Sequence, residues 1–310
     1  MRKRYPDTAI TTVCIPWDEQ WNFDRAVFGG MVEKLIEAGL PALYLFGTAG
    51  EGYAVDDEQF QEIAAAFWDD TRGSGIRSMV GIISLSVSEM IHRIEIAYQL
   101  GFREFQISFP SWGALTDEEV MVFFHHVCDP FPDCIFMHYN NGGRSKKLLS
   151  YKHYQALAEE IPNLAAVKYM NDSIEDIICV QTADLPIQFI LSEYGYGTGC
   201  LYGECGLLFS SSVICPEAAW ALYRAGKEKN MEEIRRLEIE VAVSQQILFE
   251  TCPQQVMNAA YDKLYAKMLL PEMPLRLYPP YQGFSVAQFE AFRTQMQLRL
   301  PRWLAGKNGK

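Results

Sequence analysis

The stretch NLAAVKYMNDS at residues 163–173 is a short apolar run with a lysine, Lys168, near its end. A run this apolar is typical of a strand that is buried on both faces. Because side chains alternate across a strand, Lys168 shares one face with Ala166, whereas Val167 and Tyr169 share the other. If the second face packs against helices, Lys168 points into the interior. The alternative is a lysine that extends into solvent from the strand end.

Runs of the same kind alternate with amphipathic helical segments along the chain. The predicted strands cover residues 9–14, 42–46, 78–83, 104–108, 134–139, 164–169, 188–192 and 206–211. The predicted helices between them cover residues 24–39, 56–70, 86–100, 116–128, 148–160, 173–183 and 196–204. Strands that alternate with helices, with few hairpin turns, indicate an α/β protein with a parallel sheet.

Eight such units within about 215 residues predict a closed (β/α)8 TIM barrel. An open doubly wound sheet is the rival, but its first turn should carry GxGxxG, and here the first strand leads into CIPWDEQWNFD. Further helical segments follow at residues 216–225, 228–250, 254–269 and 285–300. We therefore expect a barrel domain at residues 1–225 and a C-terminal helical extension at residues 226–310.

Composition restricts the kind of partner. The 310 residues carry a formal net charge of −12, which disfavours nucleic acid and anionic membranes. Apolar runs stay shorter than the roughly 18 residues of a membrane span, and we expect no signal peptide. The eight cysteines show no CxxC pair, which favours reduced thiols in a cytoplasmic protein.

In a barrel of this class, function lies at the carboxyl ends of the strands. A lysine buried there tends toward its neutral amine, which can attack a carbonyl carbon and form a Schiff base. Tyr139 ends the neighbouring strand and could relay protons, or it could simply pack its ring. Thr48, in the glycine loop GTAGEG, could orient Tyr139 or hold a carboxylate, or the loop could be only a turn. Arg144 could pair with a substrate carboxylate or be solvated.

Three motifs in this order resemble the dihydrodipicolinate synthase / N-acetylneuraminate lyase family of class I aldolases. They are GTAGE at residues 47–51, HYN at residues 138–140 and AAVKYMND at residues 165–172. The resemblance runs from about residue 8 to about residue 225, and beyond that the helices match in kind only. It implies a (β/α)8 barrel with a helical extension, no metal, no organic cofactor, and a homotetramer built as a dimer of dimers.

The resemblance also implies roles for individual residues. Lys168 would form a Schiff base with pyruvate or another 2-oxo acid, Tyr139 would be the acid and base, and Thr48 would assist it. Thr48, Ala49 and Gly50 would hold the carboxylate of the 2-oxo acid. Arg144 stands where the synthase has an arginine for the second, aldehyde substrate. Leu208, on the eighth predicted strand, is expected to contact substrate as well.

Two departures bear on the substrate. The second loop threonine is replaced by Ala49, and the stretch PSWGAL has Ser111 and Trp112 where the synthase has a tyrosine. The P-x-W pattern is closer to hydratase-aldolases that act on aromatic pyruvate adducts, with Trp112 as a flat apolar wall or, equally, a subunit contact. We therefore expect an enzyme other than the lysine-pathway synthase; a keto-deoxy sugar acid aldolase or dehydratase is a further alternative.

Two other classes of protein remain to be weighed. A non-catalytic barrel could bind a 2-oxo acid and regulate another process, although lysine, tyrosine and threonine together disfavour it. A metal-dependent hydrolase needs several histidine and acidic ligands at strand ends. Four histidines lie on predicted helices, at positions 92, 125, 126 and 153. His138 alternates with Tyr139, so we expect it to face the outer layer.

Overall fold

The computed structural model describes residues 2–171 and 173–304, and it contains a closed barrel of eight parallel strands in chain order. Asp172, in the third sequence motif, and residues 305–310 of the predicted extension lie outside the described residues. The strands are β1 Ala9–Thr12, β2 Ala42–Leu45, β3 Arg77–Ile82, β4 Glu104–Ile107, β5 Ile135–Asn140, β6 Leu164–Tyr169, β7 Gln188–Ser192 and β8 Gly206–Leu208. The predicted TIM barrel is confirmed.

Helices fill the gaps and continue after the barrel. They are α1 Arg25–Glu37, α2 Asp57–Thr71, α3 Val87–Leu100, α4 Asp117–Cys128, α5 Gly142–Ser145, α6 Tyr151–Glu160, α7 Ile174–Thr182, α8 Tyr196–Tyr202, α9 Pro216–Glu228, α10 Met231–Thr251, α11 Ala259–Leu269 and α12 Val286–Arg299. Thr116 caps α4 in a capping box, and Gly39 and Gly101 follow α1 and α3 with positive φ. The predicted domain boundary at residue 225 falls within α9 and stays a prediction.

The structure differs from the predicted elements in several places. The strand predicted at 206–211 ends at Leu208, because the chain turns into a 3-10 helix, Ser210–Val213, whose Ser212 hydroxyl bonds to Thr11. The one-turn helix α5, which precedes α6, was not predicted. Asn141 caps it by accepting a hydrogen bond from the Arg144 N–H. Residues 254–258 are irregular rather than helical, and Met257 among them lines the cavity described below.

Successive side chains of β6 point alternately into two separate cores. Val167 and Tyr169 belong to the large core between barrel and helices, whereas Ala166 belongs to a second core inside the barrel. The interior core also contains Ile10, Ala42, Tyr44, Met79, Met137, Ile190 and Leu208. Close packing there requires glycine at 206, since an added Cβ atom would lie 2.8 Å from the backbone oxygen of Thr8. Lys168 shares the face of Ala166 and therefore points inward.

The amino-terminal end of the barrel is closed by a polar plug. The Tyr5 hydroxyl donates to Glu104 at 3.0 Å, and Arg77 forms an ion pair with Glu104 at 2.6 Å while lying over the Tyr5 ring. The interior is thus sealed at this end, and the catalytic groups must be sought at the other. Within the described ranges, the helices are each too short or too polar to cross a membrane.

Candidate active site

A cavity of about 510 Å³ lies at the carboxyl ends of the strands, where the barrel class carries its active sites. One side is formed by residues that end or follow four consecutive strands: Thr48, Ser84, Ser108 and Tyr139. The opposite side comes from the C-terminal extension and includes Met257, Pro279, Pro280 and Tyr281. The cavity therefore has a polar wall from the barrel and a mostly apolar wall from the extension.

Lys168 lies beside Tyr139, which lines this cavity. In the register of the sheet it pairs with Tyr139, and its side chain is only 6% exposed. The ammonium nitrogen lies 4.3 Å from the centre of the Tyr139 ring and 5.5 Å from that of Tyr44. A lysine enclosed in this way inside a barrel is a candidate nucleophile. The inward direction that strand alternation predicts is confirmed.

Tyr139 links Lys168 to the cavity. Its side chain lines the cavity, and its hydroxyl accepts a hydrogen bond from the Asn141 side-chain amide at 2.9 Å. The same Asn141 caps α5 through the Arg144 N–H, so one residue fixes both the hydroxyl and the helix. Sequence reasoning missed Asn141, although its place two residues after Tyr139 at a strand end was an available signal. Thr48 lines the same cavity as Tyr139.

The glycine loop that carries Thr48 is fixed by an arginine from the neighbouring unit. Arg93 on α3 donates to the carbonyl oxygens of Gly52, Val55 and Ile83, and it forms an ion pair with Asp57 at 2.9 Å. The guanidinium thus joins the loop after β2 to the loop after β3. Five fixed donors on a planar group suit such a carbonyl-rich site.

Ala49 and Gly50 belong to the buried part of this loop and are not among the residues that line the cavity. Gly50 packs tightly, since an added Cβ would lie 2.8 Å from the Phe46 nitrogen and 2.9 Å from the Val13 oxygen. The role predicted for these two residues, holding a carboxylate, would therefore fall to their backbone amides.

A second anchor of the loop is a buried ion pair with the C-terminal extension. Glu51 and Lys263 are both fully buried, and their charged atoms lie 2.5 Å apart. Glu51 also accepts from the Trp17 indole at 3.0 Å and from the Tyr278 N–H at 2.7 Å. The loop carrying Thr48 and the wall carrying Tyr281 are therefore joined through one carboxylate.

Of the other predicted substrate contacts, Arg144 lines the cavity, whereas Trp112 and Leu208 do not. Arg144 lines it and donates to the Asn258 side chain at 3.0 Å. Trp112 is 84% exposed and lies outside the lining, whereas its neighbour Ser111 lines the cavity. Leu208 is buried in the interior core of the barrel, which Lys168 also enters.

Two buried carboxyls that the sequence did not single out share the interior with Lys168. Glu193 follows β7, and Asp262 lies on α11. Burial raises the pKa of each to about 7, and the positive charge of Lys168 opposes the rise in both. The position of Glu193 directly after a predicted strand was a signal for its inclusion; Asp262 had none.

The sequence predicts an outer-layer position for His138 and disfavours a metal site. His138 faces the outer layer as predicted, where its Nδ1 lies 2.8 Å from the Tyr154 hydroxyl, and burial lowers its pKa to about 3. Among residues 2–171 and 173–304, no three His, Cys, Asp or Glu side chains are grouped so that they could hold a metal ion.

A closed barrel with a cavity at its carboxyl end, lined by Tyr139 beside the buried Lys168, is the architecture of (β/α)8 enzymes. The chain belongs to the Dihydrodipicolinate synthetase family, whose model matches residues 6–267. The resemblance seen in the three motifs is thereby confirmed. The match extends through α9, α10 and most of α11, so it includes much of the extension.

Individual relatives are distant. The chain is 27% identical over 228 residues to trans-2'-carboxybenzalpyruvate hydratase-aldolase from Nocardioides sp. (strain KP7), covering 71% of this chain and 67% of the relative. It is 26% identical over 227 residues to 4-hydroxy-tetrahydrodipicolinate synthase from Gluconobacter oxydans (strain 621H), covering 73% and 75%.

Solved structures share the fold. Dihydrodipicolinate synthase from Aquifex aeolicus superposes with a TM-score of 0.83 at 18% identity, covering 94% of this chain and 98% of the other. Wild-type sialic acid aldolase from Ruminococcus gnavus superposes with a TM-score of 0.83 at 16% identity, covering 96% and 97%.

Proposed function

We propose that this protein is an aldolase-type lyase that acts on pyruvate or another 2-oxo acid through a Schiff base on Lys168. The coarser part, an enzyme of the lyase and aldolase kind, rests on family membership. The Schiff base rests on one observation in particular: the Lys168 nitrogen lies 4.3 Å from the ring of Tyr139, which itself lines the cavity.

The chemistry follows from this pair of residues. The neutral amine attacks the carbonyl carbon of the 2-oxo acid, a C–N bond forms, and water leaves to give an iminium. When the C–C bond of an aldol adduct breaks, its electron pair moves into the iminium to give an enamine. Tyr139 gives its own proton to the departing water, and the resulting phenolate takes the proton of the adduct hydroxyl as the aldehyde leaves. Protonation of the enamine and hydrolysis then return the 2-oxo acid and free Lys168.

The loop after β2 is the proposed holder of the 2-oxo acid carboxylate. The Thr48 hydroxyl and the amides of Ala49 and Gly50 would donate to it, a role suited to a loop fixed from two sides. Arg93 and the Glu51–Lys263 pair supply that fixation. Leu208 would form the buried end of the pocket, where the Lys168 side chain lies.

A second candidate, a hydratase-aldolase for an aromatic pyruvate adduct, is favoured by the wall from the extension. Tyr281 and Tyr53 meet edge to face at 5.3 Å, and Met257 and two prolines continue this apolar surface. A flat ring fits such a wall, with Arg144 available for a carboxylate on it. One of the relatives carries the name of such an enzyme. Trp112 stays a predicted contact.

We also propose a cytoplasmic homotetramer. The cysteines at positions 14, 128, 134, 179, 200, 205 and 252 carry free thiols, which suits a reducing compartment. Sedimentation of the purified protein would test the assembly, and a monomer at working concentration would contradict it.

A screen for released pyruvate tests the function. Aldol adducts of pyruvate with aromatic aldehydes, sugar-derived aldehydes and aspartate semialdehyde would be supplied, and pyruvate would be measured with lactate dehydrogenase. We expect release by the parent protein and none by Lys168→Ala, whereas Lys146→Ala, which removes an exposed lysine near the cavity, should retain activity. Binding of pyruvate without turnover of any adduct would instead favour a regulatory barrel.

A further inference from the structure

A fully buried tyrosine, Tyr44 on β2, crosses the interior of the barrel toward the nucleophile. Strands β2 and β6 lie opposite each other in the closed eight-stranded sheet, and the centre of the Tyr44 ring lies 5.5 Å from the Lys168 ammonium nitrogen. Tyr44 is 1% exposed and belongs to the interior core, and it does not line the cavity. It can therefore act on a substrate only through its neighbours.

The Tyr44 hydroxyl has a fixed partner on β4. It donates to the side-chain oxygen of Gln106, which is fully buried. Phe105 and Ile107 belong to the outer core, so alternation along the strand turns Gln106 into the barrel. The Gln106 Nε2 has no partner among the described residues, so within them the Tyr44 hydroxyl alone holds this side-chain amide. Tyr44, Gln106 and Lys168 thus come from alternate strands, as the side chains of one layer in a barrel interior do.

The same ring packs against the loop that carries Thr48. A Cβ atom added to Gly47 would lie 2.5 Å from Cε1 of Tyr44 and 2.8 Å from its hydroxyl oxygen. One added to Gly81 on β3 would lie 3.0 Å from the same oxygen. The ring therefore lies directly against the Gly47 backbone, one residue before Thr48, and its hydroxyl fits between two residues that have no side chain.

We propose that Tyr44 is a positioning residue that fixes the Lys168 amine relative to the loop proposed to hold the 2-oxo acid carboxylate; this inference rests on the Schiff-base function proposed above. One rigid ring lies beside both groups, and its hydrogen bond to Gln106 keeps the ring from turning. Lysine has a flexible four-carbon side chain, so its amine needs a fixed neighbour to keep one direction. Attack on a carbonyl held by the loop depends on that direction, because a misplacement of about 1 Å can cost about 10²-fold in rate.

The test is the rate of adduct formation in variants of this layer. The protein would be mixed with saturating pyruvate, the Schiff base reduced with excess borohydride at set times, and the adduct measured by intact mass. Tyr44→Leu, which removes the ring, should lower the rate constant by about 10²-fold. Tyr44→Phe and Gln106→Leu each break the hydrogen bond and keep the ring, so each should lower the rate constant by about tenfold, an effect of the size of one hydrogen bond. The double variant should lose no more than either single one, because both remove the same bond.

The control is a second fully buried tyrosine, in the outer core. The Tyr196 hydroxyl donates to the Tyr223 carbonyl oxygen at 2.8 Å, so Tyr196→Phe also removes a hydrogen bond of a buried tyrosine. This variant should have a lower thermal midpoint than the parent and an unchanged rate constant of adduct formation. If it slows adduct formation as much as Tyr44→Phe does, the effect is one of general stability and the inference is overturned.

The outcomes separate this inference from the function beneath it. A parental rate constant in Tyr44→Phe or Gln106→Leu overturns the inference and leaves the Schiff base intact, and so does a double variant whose loss equals the product of the single losses. A parent that forms no adduct overturns both. If Tyr44→Leu lacks a cooperative thermal transition, the other two single variants decide: slower adduct formation in both supports the inference, and an unchanged rate in either overturns it.

Discussion

Replacing Lys263 by methionine removes the cation of the Glu51–Lys263 pair while it keeps an unbranched side chain of similar length. Both partners are fully buried and 2.5 Å apart, so the substitution leaves a carboxylate inside the protein without its counter-ion. Glu51 cannot easily turn away, because the Trp17 indole and the Tyr278 N–H still hold it. The change therefore tests how strongly the loop carrying Thr48 is bound to the extension.

The expected cost follows from the burial of the pair. Removal of one partner of a buried ion pair costs about 3–5 kcal/mol, chiefly because the other charge is left uncompensated. Replacement of both partners by neutral groups is often close to neutral, so Lys263→Met combined with Glu51→Gln should recover most of the loss. The free energy of unfolding from urea titrations, followed by tryptophan fluorescence, gives both values.

The control is an ion pair of the same length at the surface. Arg293 and Glu290 lie 2.5 Å apart but are 49% and 46% exposed, so Arg293→Met should cost less than about 1 kcal/mol. The reasoning is refuted if Lys263→Met costs no more than Arg293→Met, or if the double variant is as unstable as the single one.

Further predictions concern chemistry, specificity and pH. Tyr139→Phe should lower kcat by about 10²–10⁴ with a smaller change in KM, and steady-state kinetics with unchanged kcat would remove Tyr139 from the mechanism. Tyr281→Ala should lower kcat/KM for an aromatic pyruvate adduct by about tenfold while pyruvate trapping stays unchanged; an equal loss in both assays would contradict its role as a wall. His138 is neutral in the folded protein, with its pKa lowered to about 3, so unfolding takes up a proton below about pH 6.5. Stability should be full above that pH and fall as the pH falls, by about 2 kcal/mol at pH 5, and His138→Gln measured by urea titration should lack this slope.

The barrel and the direction of Lys168 could be predicted because both depend on local periodicity. Alternation of apolar runs with amphipathic helices indicates a parallel sheet, and a period of two assigns Lys168 and Val167 to opposite faces. The same rule placed His138 correctly in the outer layer. These features need only the sequence of one element and its neighbours.

The contribution of the extension could not be predicted because it depends on how a distant helix docks. Asp262 and Lys263 are adjacent on α11 and both buried, and Lys263 pairs with Glu51, more than 200 residues earlier in the chain. The sequence of α11 alone does not indicate which strand ends its residues will contact. The placement of Trp112 depends in the same way on the path of an exposed loop, which apolar patterning does not determine.

The most direct test of the central claim is to find the residue that pyruvate modifies. The protein would be incubated with pyruvate and borohydride, digested, and its peptides sequenced by mass spectrometry. The proposed function predicts a single reduced pyruvate adduct on Lys168 in the parent and none in Lys168→Ala. An adduct that persists in Lys168→Ala, or that maps to another lysine, would contradict it.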